Sequence, residues 1–331
     1  MATRTTTLIA GALAGATLLA AACGDDDPAA GDTSAVSATT VAADTTAAAE
    51  TTAAVGTTAV GSSSEPAGDV PQRIVSLSAT ATEMLFAIGA GQQVIAVDST
   101  SNYPSEAEAV LTDLSAFEPN VEAIAGYEPD LVVHSGTVGL TEQLEALDIE
   151  VWEGPAAATF GDAYAQIEQL GAITGHVGDA AEVVANMQAD LEEIAQSVPT
   201  SEVPLTYYHE LDDTLFSVTS STFIGEVYSL FGLQNIADQV EGDSGGYPQL
   251  NAEFIVEESP DLIFLADTIC CGESAETVAA RPGWGAIAAV EDDLVFEMSD
   301  DLASRWGPRI VDYARAVRDA VEQAAARQPA G

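Results

Sequence analysis

Residues 120–130 read NVEAIAGYEPD, and residues 251–261 read NAEFIVEESPD. Both copies run Asn-x-Glu, an apolar stretch and Pro-Asp at the same spacing, and an apolar segment follows each copy. Asn is a strong helix N-cap, the helix dipole favours a Glu in the first turn, and Pro ends the helix. Two such helix–strand units, far apart in one chain, predict two similar α/β lobes. Each lobe then carries one acidic residue at the same place, Glu122 or Glu253.

Strand and helix patterns alternate on both sides of these units. Residues 73–78 predict a first strand, residues 80–88 a helix, and residues 93–97 a second strand. In the second half, PLTYYHEL at 204–211 and LFSVT at 215–219 predict two further strands. This alternation predicts an α/β fold of mostly parallel sheets with helices on both faces.

The stretch 160–198 differs, because apolar residues recur there at helical spacing and Pro is absent. The pair Thr174-Gly175 interrupts the pattern and leaves a kink or a short break open. A long helix here would join the two lobes as a rigid spine. We therefore expect an N-terminal lobe at 72–158, a connecting backbone helix at 159–199 and a C-terminal lobe at 200–327.

The first 22 residues have the pattern of a lipoprotein signal peptide, with one cation and then the apolar run LIAGALAGATLLAAA before Cys23. Ala20 stands where the usual signal has Leu, so secretion with cleavage nearby is the alternative. Residues 23–71 are rich in Thr, Ala, Ser and Gly and predict a disordered tether. Cys23 would then be the lipidated residue that anchors the chain to the membrane.

The net charge is −45, and all eight cationic side chains are Arg. This acidity excludes nucleic-acid binding, which needs a basic surface. We interpret it as solubility or adaptation to salt. An acidic site for a cationic ligand is the alternative.

Three cysteines occur, and Cys270 and Cys271 are adjacent. In an oxidising compartment a disulfide between these two is the favoured interpretation. Two free thiols or a soft metal site are the alternatives. The three histidines are scattered without the spacing of a metal site.

Several motifs together resemble one family: RIVSLSATATEMLFAIGAG, the SNYP loop, the two repeat copies, and the RPGW and SRWGPRIVD segments. The chain resembles, over residues 72–326, the substrate-binding lipoproteins of bacterial import ATPases (ABC importers), of the iron-siderophore and cobalamin type. The resemblance implies two α/β lobes joined by a rigid helix, with the ligand in the cleft between them. It further implies an extracytoplasmic, lipid-anchored monomer that needs no cofactor and is not an enzyme. Its partners would be a membrane permease with its ATPase and an iron-siderophore, corrinoid or haem-like ligand.

The same resemblance assigns roles to individual residues. Glu122 and Glu253 match the acidic residues that such proteins offer to Arg side chains of the permease. An exposed carboxylate at a helix start can form a bidentate Arg pair and fix docking. Both could instead be ordinary first-turn acids that stabilise their helices.

Four residues match positions that face the ligand in this family. Tyr103 lies in the SNYP loop, Tyr247 lies in GYPQL, and Phe117 stands where cobalamin-binding members carry Trp. Arg305 lies in the final loop and would pair with an acidic group of the ligand. Each aromatic residue could instead belong to the core, which is our interpretation of Trp284 and Trp306.

Three rival functions remain. The stretch GDSGG at 242–246 is that of chymotrypsin-like proteases and would make Ser244 a nucleophile, yet the other motifs of that family are absent. A zinc or manganese receptor on the same fold would use His134, His209 and Asp267, which follow predicted strands. An adhesin or structural lipoprotein would fit the anchor and tether.

Overall fold

The computed structural model describes residues 70–198, 203–240, 242 and 244–327. The predicted signal peptide, the predicted lipidation site Cys23 and nearly all of the predicted tether lie outside these residues. No helix among the described residues is long and apolar enough to cross a membrane.

Two four-stranded sheets, parallel throughout, organise the described chain. The first has the order β2-β1-β3-β4 and consists of β1 (Ile74–Leu77), β2 (Val94–Val97), β3 (Leu131–His134) and β4 (Glu150–Glu153). The second has the order β6-β5-β7-β8 and consists of β5 (Thr206–Glu210), β6 (Gln234–Asn235), β7 (Leu262–Leu265) and β8 (Val295–Glu297). When the strands of each lobe are numbered along the chain, both sheets have the same spatial order: second, first, third, fourth. This confirms the predicted pair of similar α/β lobes.

Eleven α-helices surround the sheets in the described ranges. They are α1 (Ala79–Ala87), α2 (Val121–Ala125), α3 (Leu140–Glu145), α4 (Phe160–Thr174), α5 (Val177–Ser197), α6 (Phe223–Ser229), α7 (Ala252–Glu258), α8 (Ala275–Ala279), α9 (Ala288–Glu291), α10 (Asp300–Ser304) and α11 (Ile310–Arg327). Short 3-10 helices cover Ala90–Gln93, Ser105–Val110, Ile236–Gln239 and Trp284–Ala286.

The central strands are buried on both faces, as their continuous apolar sequences require. Side chains alternate along a strand, so Ile74 of β1 enters one core cluster while Val75 and Leu77 enter the cluster on the opposite face. Helices therefore cover both faces, and the carboxyl ends of the strands are left for loops that can form a site.

The region 160–198 forms two helices, and the interruption indicated by the sequence is a full break. Gly175 ends α4 in the left-handed conformation with a φ of 79°, which glycine adopts at little cost. A side chain at Gly171 would come within 2.4 Å of Ala180, so α4 and α5 approach each other closely at the break. The long element is α5, with 21 residues, and α11 packs against it.

The predicted strand LFSVT is wrong. Leu215 has a φ of 70°, which interrupts an extended run, and Phe216 forms only an isolated bridge with Gln249. The amides of Ser217 and Thr219 instead donate to the carbonyls of Pro248 and Gly246. The segment is therefore hydrogen-bonded, through its backbone, to the loop that carries Tyr247.

Candidate functional site

The two repeat copies occupy equivalent places, because α2 precedes the third strand of the first sheet and α7 the third strand of the second. Asn120 Oδ1 accepts from the amide of Ala123 at 3.0 Å, and Asn251 Oδ1 accepts from that of Phe254 at 2.9 Å. Both asparagines are therefore N-caps, as predicted.

The Asp that closes each copy has a structural role. Asp130 Oδ2 accepts from the amide of Gln72 at 2.9 Å, and Asp261 Oδ2 accepts from that of Thr206 at 2.8 Å. Each Asp thus fastens the start of the first strand of its lobe to the start of the third.

Glu122 and Glu253 are exposed in the first turns of α2 and α7. Within the described residues, neither carboxylate forms an ion pair or a side-chain hydrogen bond. The Asn and Asp of the repeat are thus used by the fold, while its Glu is an exposed first-turn acid in each lobe. A role in docking stays a prediction.

A cavity of about 520 Å³ lies between the first lobe and the segment that follows β8. We call it the cleft cavity; its lining includes Ser78, Thr80, Thr100, Phe117, Ser135, Thr137, Asp301, Ser304, Arg305 and Trp306. Phe117 is 83% exposed there, which is unusual for so large an apolar side chain. Trp306 donates from Nε1 to Gln166 Oε1 at 2.8 Å and presents its ring to the cavity. An open cavity with two aromatic rings and several hydroxyl groups is suited to a bulky organic ligand.

Arg305 lines this cavity, but its guanidinium is already engaged by the protein. Nη1 donates to Glu83 Oε1 at 2.8 Å and to Asn102 Oδ1 at 2.9 Å. Nη2 donates to the carbonyl of Thr100 at 3.1 Å and to Asp301 Oδ1 at 2.6 Å. These contacts fix the segment after β8 to the first lobe, so they give Arg305 a structural role beside its place in the lining.

Tyr103 lies away from the cleft cavity. It lines a separate cavity of about 570 Å³ with Phe86, Pro308 and Arg309, and the Arg309 guanidinium stands 4.1 Å from the centre of its ring. From the same loop, Thr100 reaches the cleft cavity instead. The part of Tyr103 in ligand binding stays a prediction that rests on the family resemblance.

Tyr247 is 40% exposed and is absent from the lining of the cleft cavity. Its amide donates to the carbonyl of Ser244 at 3.1 Å within a loop of the second lobe. Its part in ligand binding stays a prediction that rests on the family resemblance.

The proposed metal ligands are not assembled. His134 Nδ1 accepts from the amides of Gly136 and Thr137, and Nε2 bonds with Thr141 Oγ1. His209 is fully buried against Tyr228, and burial lowers its pKa to about 3. Over the described ranges, no group of three or more His, Cys, Asp or Glu side chains could hold a metal ion.

No histidine of the described residues is hydrogen-bonded to Ser244. Ser244 is exposed in its loop, whereas His209 is fully buried and bonds through Nδ1 to Tyr228 Oη at 2.8 Å. A serine nucleophile needs a base within hydrogen-bonding distance. The resemblance of GDSGG to a protease motif is therefore confined to the sequence.

The structure joins Cys270 and Cys271 in a disulfide on the exposed loop after β7. Asp300, the first residue of α10, holds this loop by accepting from the amides of Thr268 at 3.0 Å, Ile269 at 3.1 Å and Cys270 at 2.8 Å. The redox state of the pair in solution stays a prediction.

An acidic cluster closes the carboxyl end of the second sheet. Asp267 is fully buried, and neither of its carboxylate oxygens has a hydrogen-bond partner in the described part of the chain. Arg281 nearby is bound to Glu210 and Glu273, both at under 3 Å. Burial and then the Glu210 carboxylate raise the pKa of Asp267 from 3.8 to about 7.

We expect Asp267→Asn to raise the melting temperature by several degrees at pH 8 and by clearly less at pH 5. The folded protein favours the protonated acid, so the stability that Asp267 contributes is fully present below pH 4 and is lost as the pH rises through 7. Each unit of pKa shift corresponds to about 1.4 kcal/mol. Thermal denaturation at both pH values measures the difference, and the exposed Asp213→Asn controls for the lost charge. An equal gain at both pH values would contradict this expectation.

Some cleft residues escaped the sequence analysis. Ser78 and Ser135 directly follow β1 and β3, so their position at strand ends was a usable signal. Trp306 is partly buried against the core, as interpreted, and it also lines the cleft cavity. Asp301 and Ser304 belong to α10, a helix of five residues for which we recognised no sequence signal.

Comparison with known proteins agrees with this architecture. A family model that describes periplasmic binding proteins matches residues 74–302. The chain is 30% identical to an uncharacterized ABC transporter substrate-binding lipoprotein of Bacillus subtilis (strain 168), over 73% of this chain and 77% of that protein. It is 27% identical to a vitamin B12-binding protein of Pectobacterium atrosepticum, over 73% of this chain and 85% of that protein. The crystal structure of the periplasmic vitamin B12 binding protein of Vibrio cholerae superposes with a TM-score of 0.66 and 23% identity, covering 78% of this chain and 99% of that one, which concerns the fold alone.

Proposed function

The chain belongs to the periplasmic binding protein family, and on that premise we propose that it is the extracytoplasmic substrate-binding component of an ABC importer. It takes up an iron-siderophore complex, a corrinoid or a haem-like molecule and delivers this ligand to a membrane permease. It performs no chemistry of its own. The names of two relatives, a substrate-binding lipoprotein and a vitamin B12-binding protein, support this proposal.

The observation that carries the proposal is the cleft cavity, with its exposed Phe117, beside a pair of equivalent lobes. A ring that is 83% exposed in the free protein gains much contact when a large flat ligand stacks on it. Trp306 adds a second ring whose orientation is fixed by its bond to Gln166.

Delivery depends on Glu122 and Glu253. One exposed carboxylate on each lobe, at equivalent places, gives a permease two contacts of the same chemistry. Lipidation at Cys23 and a tether before the folded lobes would keep the protein at the outer face of the membrane.

A thermal-shift screen of residues 24–331 tests this function. The panel contains cyanocobalamin, a ferric hydroxamate, a ferric catecholate, ferric citrate, haem, zinc and manganese. Because a ligand that binds only the folded state raises the melting temperature, we expect a rise of several degrees with at least one of the metal complexes. A rise in melting temperature with zinc or manganese ions alone would instead identify the protein as a metal-ion receptor. No rise with any compound would contradict the proposal.

A further inference from the structure

The positive charges of this protein are few, and those in the described ranges are engaged by protein acceptors. Lys is absent from the whole sequence, and one arginine, Arg4, lies outside the described residues. The others each bind carboxylates or backbone carbonyls: Arg73, Arg281, Arg305, Arg309, Arg315, Arg318 and Arg327. An anionic ligand would therefore meet guanidinium groups that already contact protein carboxylates or backbone carbonyls.

The cleft cavity itself has no surplus positive charge. Arg305 is the one cation in its lining, and it stands between the carboxylates of Glu83 and Asp301. Glu83 also binds Arg309, so this cluster holds two guanidinium groups against two carboxylates. Proteins that select anions place free Arg or Lys side chains in the pocket, and the described lining offers none.

The hydroxyl groups of the lining are arranged mainly as acceptors. Ser135 Oγ donates to Ser78 Oγ at 2.6 Å, Thr137 Oγ1 donates to the carbonyl of Ala116 at 3.1 Å, and Ser304 Oγ donates to that of Asp300 at 2.7 Å. Since these hydrogen atoms are used within the protein, the oxygen lone pairs are what remains for a ligand. Lone pairs bind N–H groups and repel carboxylate or catecholate oxygens.

The second lobe places carboxyl groups at the ends of its strands, outside the lining of the cleft cavity. Glu210 ends β5, Glu297 ends β8, and the unpaired Asp267 follows β7. Arg281 is the cation of this group, and both of its contacts are with carboxylates of the second lobe. Ligands of open parallel sheets lie off such strand ends, and among the described residues this end offers an anion no unpaired guanidinium.

We infer that the ligand is a neutral or cationic metal complex that presents amide N–H groups, such as a corrinoid or a ferric hydroxamate, and that anionic haem and ferric catecholates are excluded. The inference rests on the proposed function and narrows its ligand class. A neutral complex needs no free guanidinium, and its amide groups match the acceptor oxygens of the lining.

Two series of probes that differ in charge and little in shape test the inference. The first is cyanocobalamin against its monocarboxylic acid derivative, in which one amide is hydrolysed. The second is ferrioxamine B, with its free amine, against its N-acetyl and N-succinyl derivatives. Calorimetric titration of residues 24–331 at low salt measures the affinities. In whichever series binds, we expect the derivative with a carboxylate to bind at least about tenfold more weakly than its neutral counterpart. The reason is that like charges repel each other across a partly dehydrated contact.

A variant pair checks that the cavity causes this preference. Ser304 is an exposed residue of the lining at the end of α10. Ser304→Lys adds a free cation and should reduce the preference for the uncharged probe by at least about threefold, whereas Ser304→Met, which adds neither charge nor an N–H donor, should not reduce it. An unfolding scan of each variant verifies that both fold.

The possible outcomes separate the inference from the function. If the carboxylate member binds as tightly as its neutral counterpart, or if haem or a ferric catecholate binds while both series fail, the charge inference is overturned and the importer function stands. If no metal complex binds at all, the proposed function fails and the inference fails with it.

Discussion

Replacing Glu122 and Glu253 together by alanine is expected to abolish ligand uptake by cells while ligand affinity stays within about twofold of the wild type. Both carboxylates are exposed, and neither lines the cleft cavity. An Arg of the permease that loses its carboxylate at a docked surface is left dehydrated and unpaired, which costs about 2–5 kcal/mol per site. Loss of both carboxylates removes the contact that each lobe would make with the permease. Uptake of the bound probe and calorimetric affinity are the two measurements.

The chain offers a matched control for this variant. Glu142 and Glu276 are exposed acids in the first turns of α3 and α8, one in each lobe. Changing both to alanine removes the same charge and the same helix-dipole contribution of about 0.3–1 kcal/mol per site. We expect uptake to continue in this control. A docking role for Glu122 and Glu253 would be ruled out by normal uptake in the first double variant, or by loss of its ligand affinity.

The sequence allowed the two-lobed architecture to be predicted because its determinants are local. Asn caps, Pro-Asp endings and apolar runs lie within a dozen residues of one another, and each retains the same role in the structure. Local signals of this kind also located the break at Gly175. The same local information mistook LFSVT for a strand, because the backbone conformation of Leu215 depends on the distant loop that the segment joins.

The cleft could be predicted only in outline, because its determinants are contacts between distant residues. Glu83 and Arg305 are 222 positions apart, and no spacing in the sequence signals that they meet. The sequence also does not show which side chain of the loop with Tyr103 lines the cleft cavity, because the ring of Tyr103 packs against the distant Arg309 while Thr100 lines the cavity. The orientation of the Trp306 indole likewise depends on a distant residue, because its Nε1 donates to Gln166 in α4.

The short helix α10 connects these distant contacts. At its start, Asp300 holds the loop of Cys270 and Cys271 in the second lobe. One residue later, Asp301 Oδ2 accepts from Asn102 Nδ2 of the first lobe at 2.9 Å. Because Ser304 of the same helix lines the cleft cavity, a ligand in this cavity would touch the element that ties the two lobes together. The orientation of the lobes and the occupancy of the cavity are therefore physically linked.

Replacing Arg305 by methionine is expected to lower the free energy of unfolding by about 3–5 kcal/mol, the usual cost of removing one member of a buried ion pair. Glu83 is 3% exposed, and its Oε2 atom already lacks a partner, so the variant leaves a buried carboxylate with Arg309 alone. The control is Arg315→Met, which removes the exposed pairs with Asp190 and Asp312 and should cost less than about 1 kcal/mol. Chemical denaturation measures both variants.

A second substitution separates the structural role of Arg305 from the role that the family resemblance gave it. Adding Glu83→Gln to Arg305→Met removes the unpaired charge, so we expect the double variant to recover part of the lost stability. Coupling of this kind arises only if the two residues act as a pair in the folded protein. If Arg305→Met instead unfolds like the wild type and loses affinity for cyanocobalamin or ferrioxamine B, then the guanidinium binds the ligand and its bond to Glu83 is incidental. The described contacts favour the first result, because four protein acceptors already surround this guanidinium and hold the cleft wall in place.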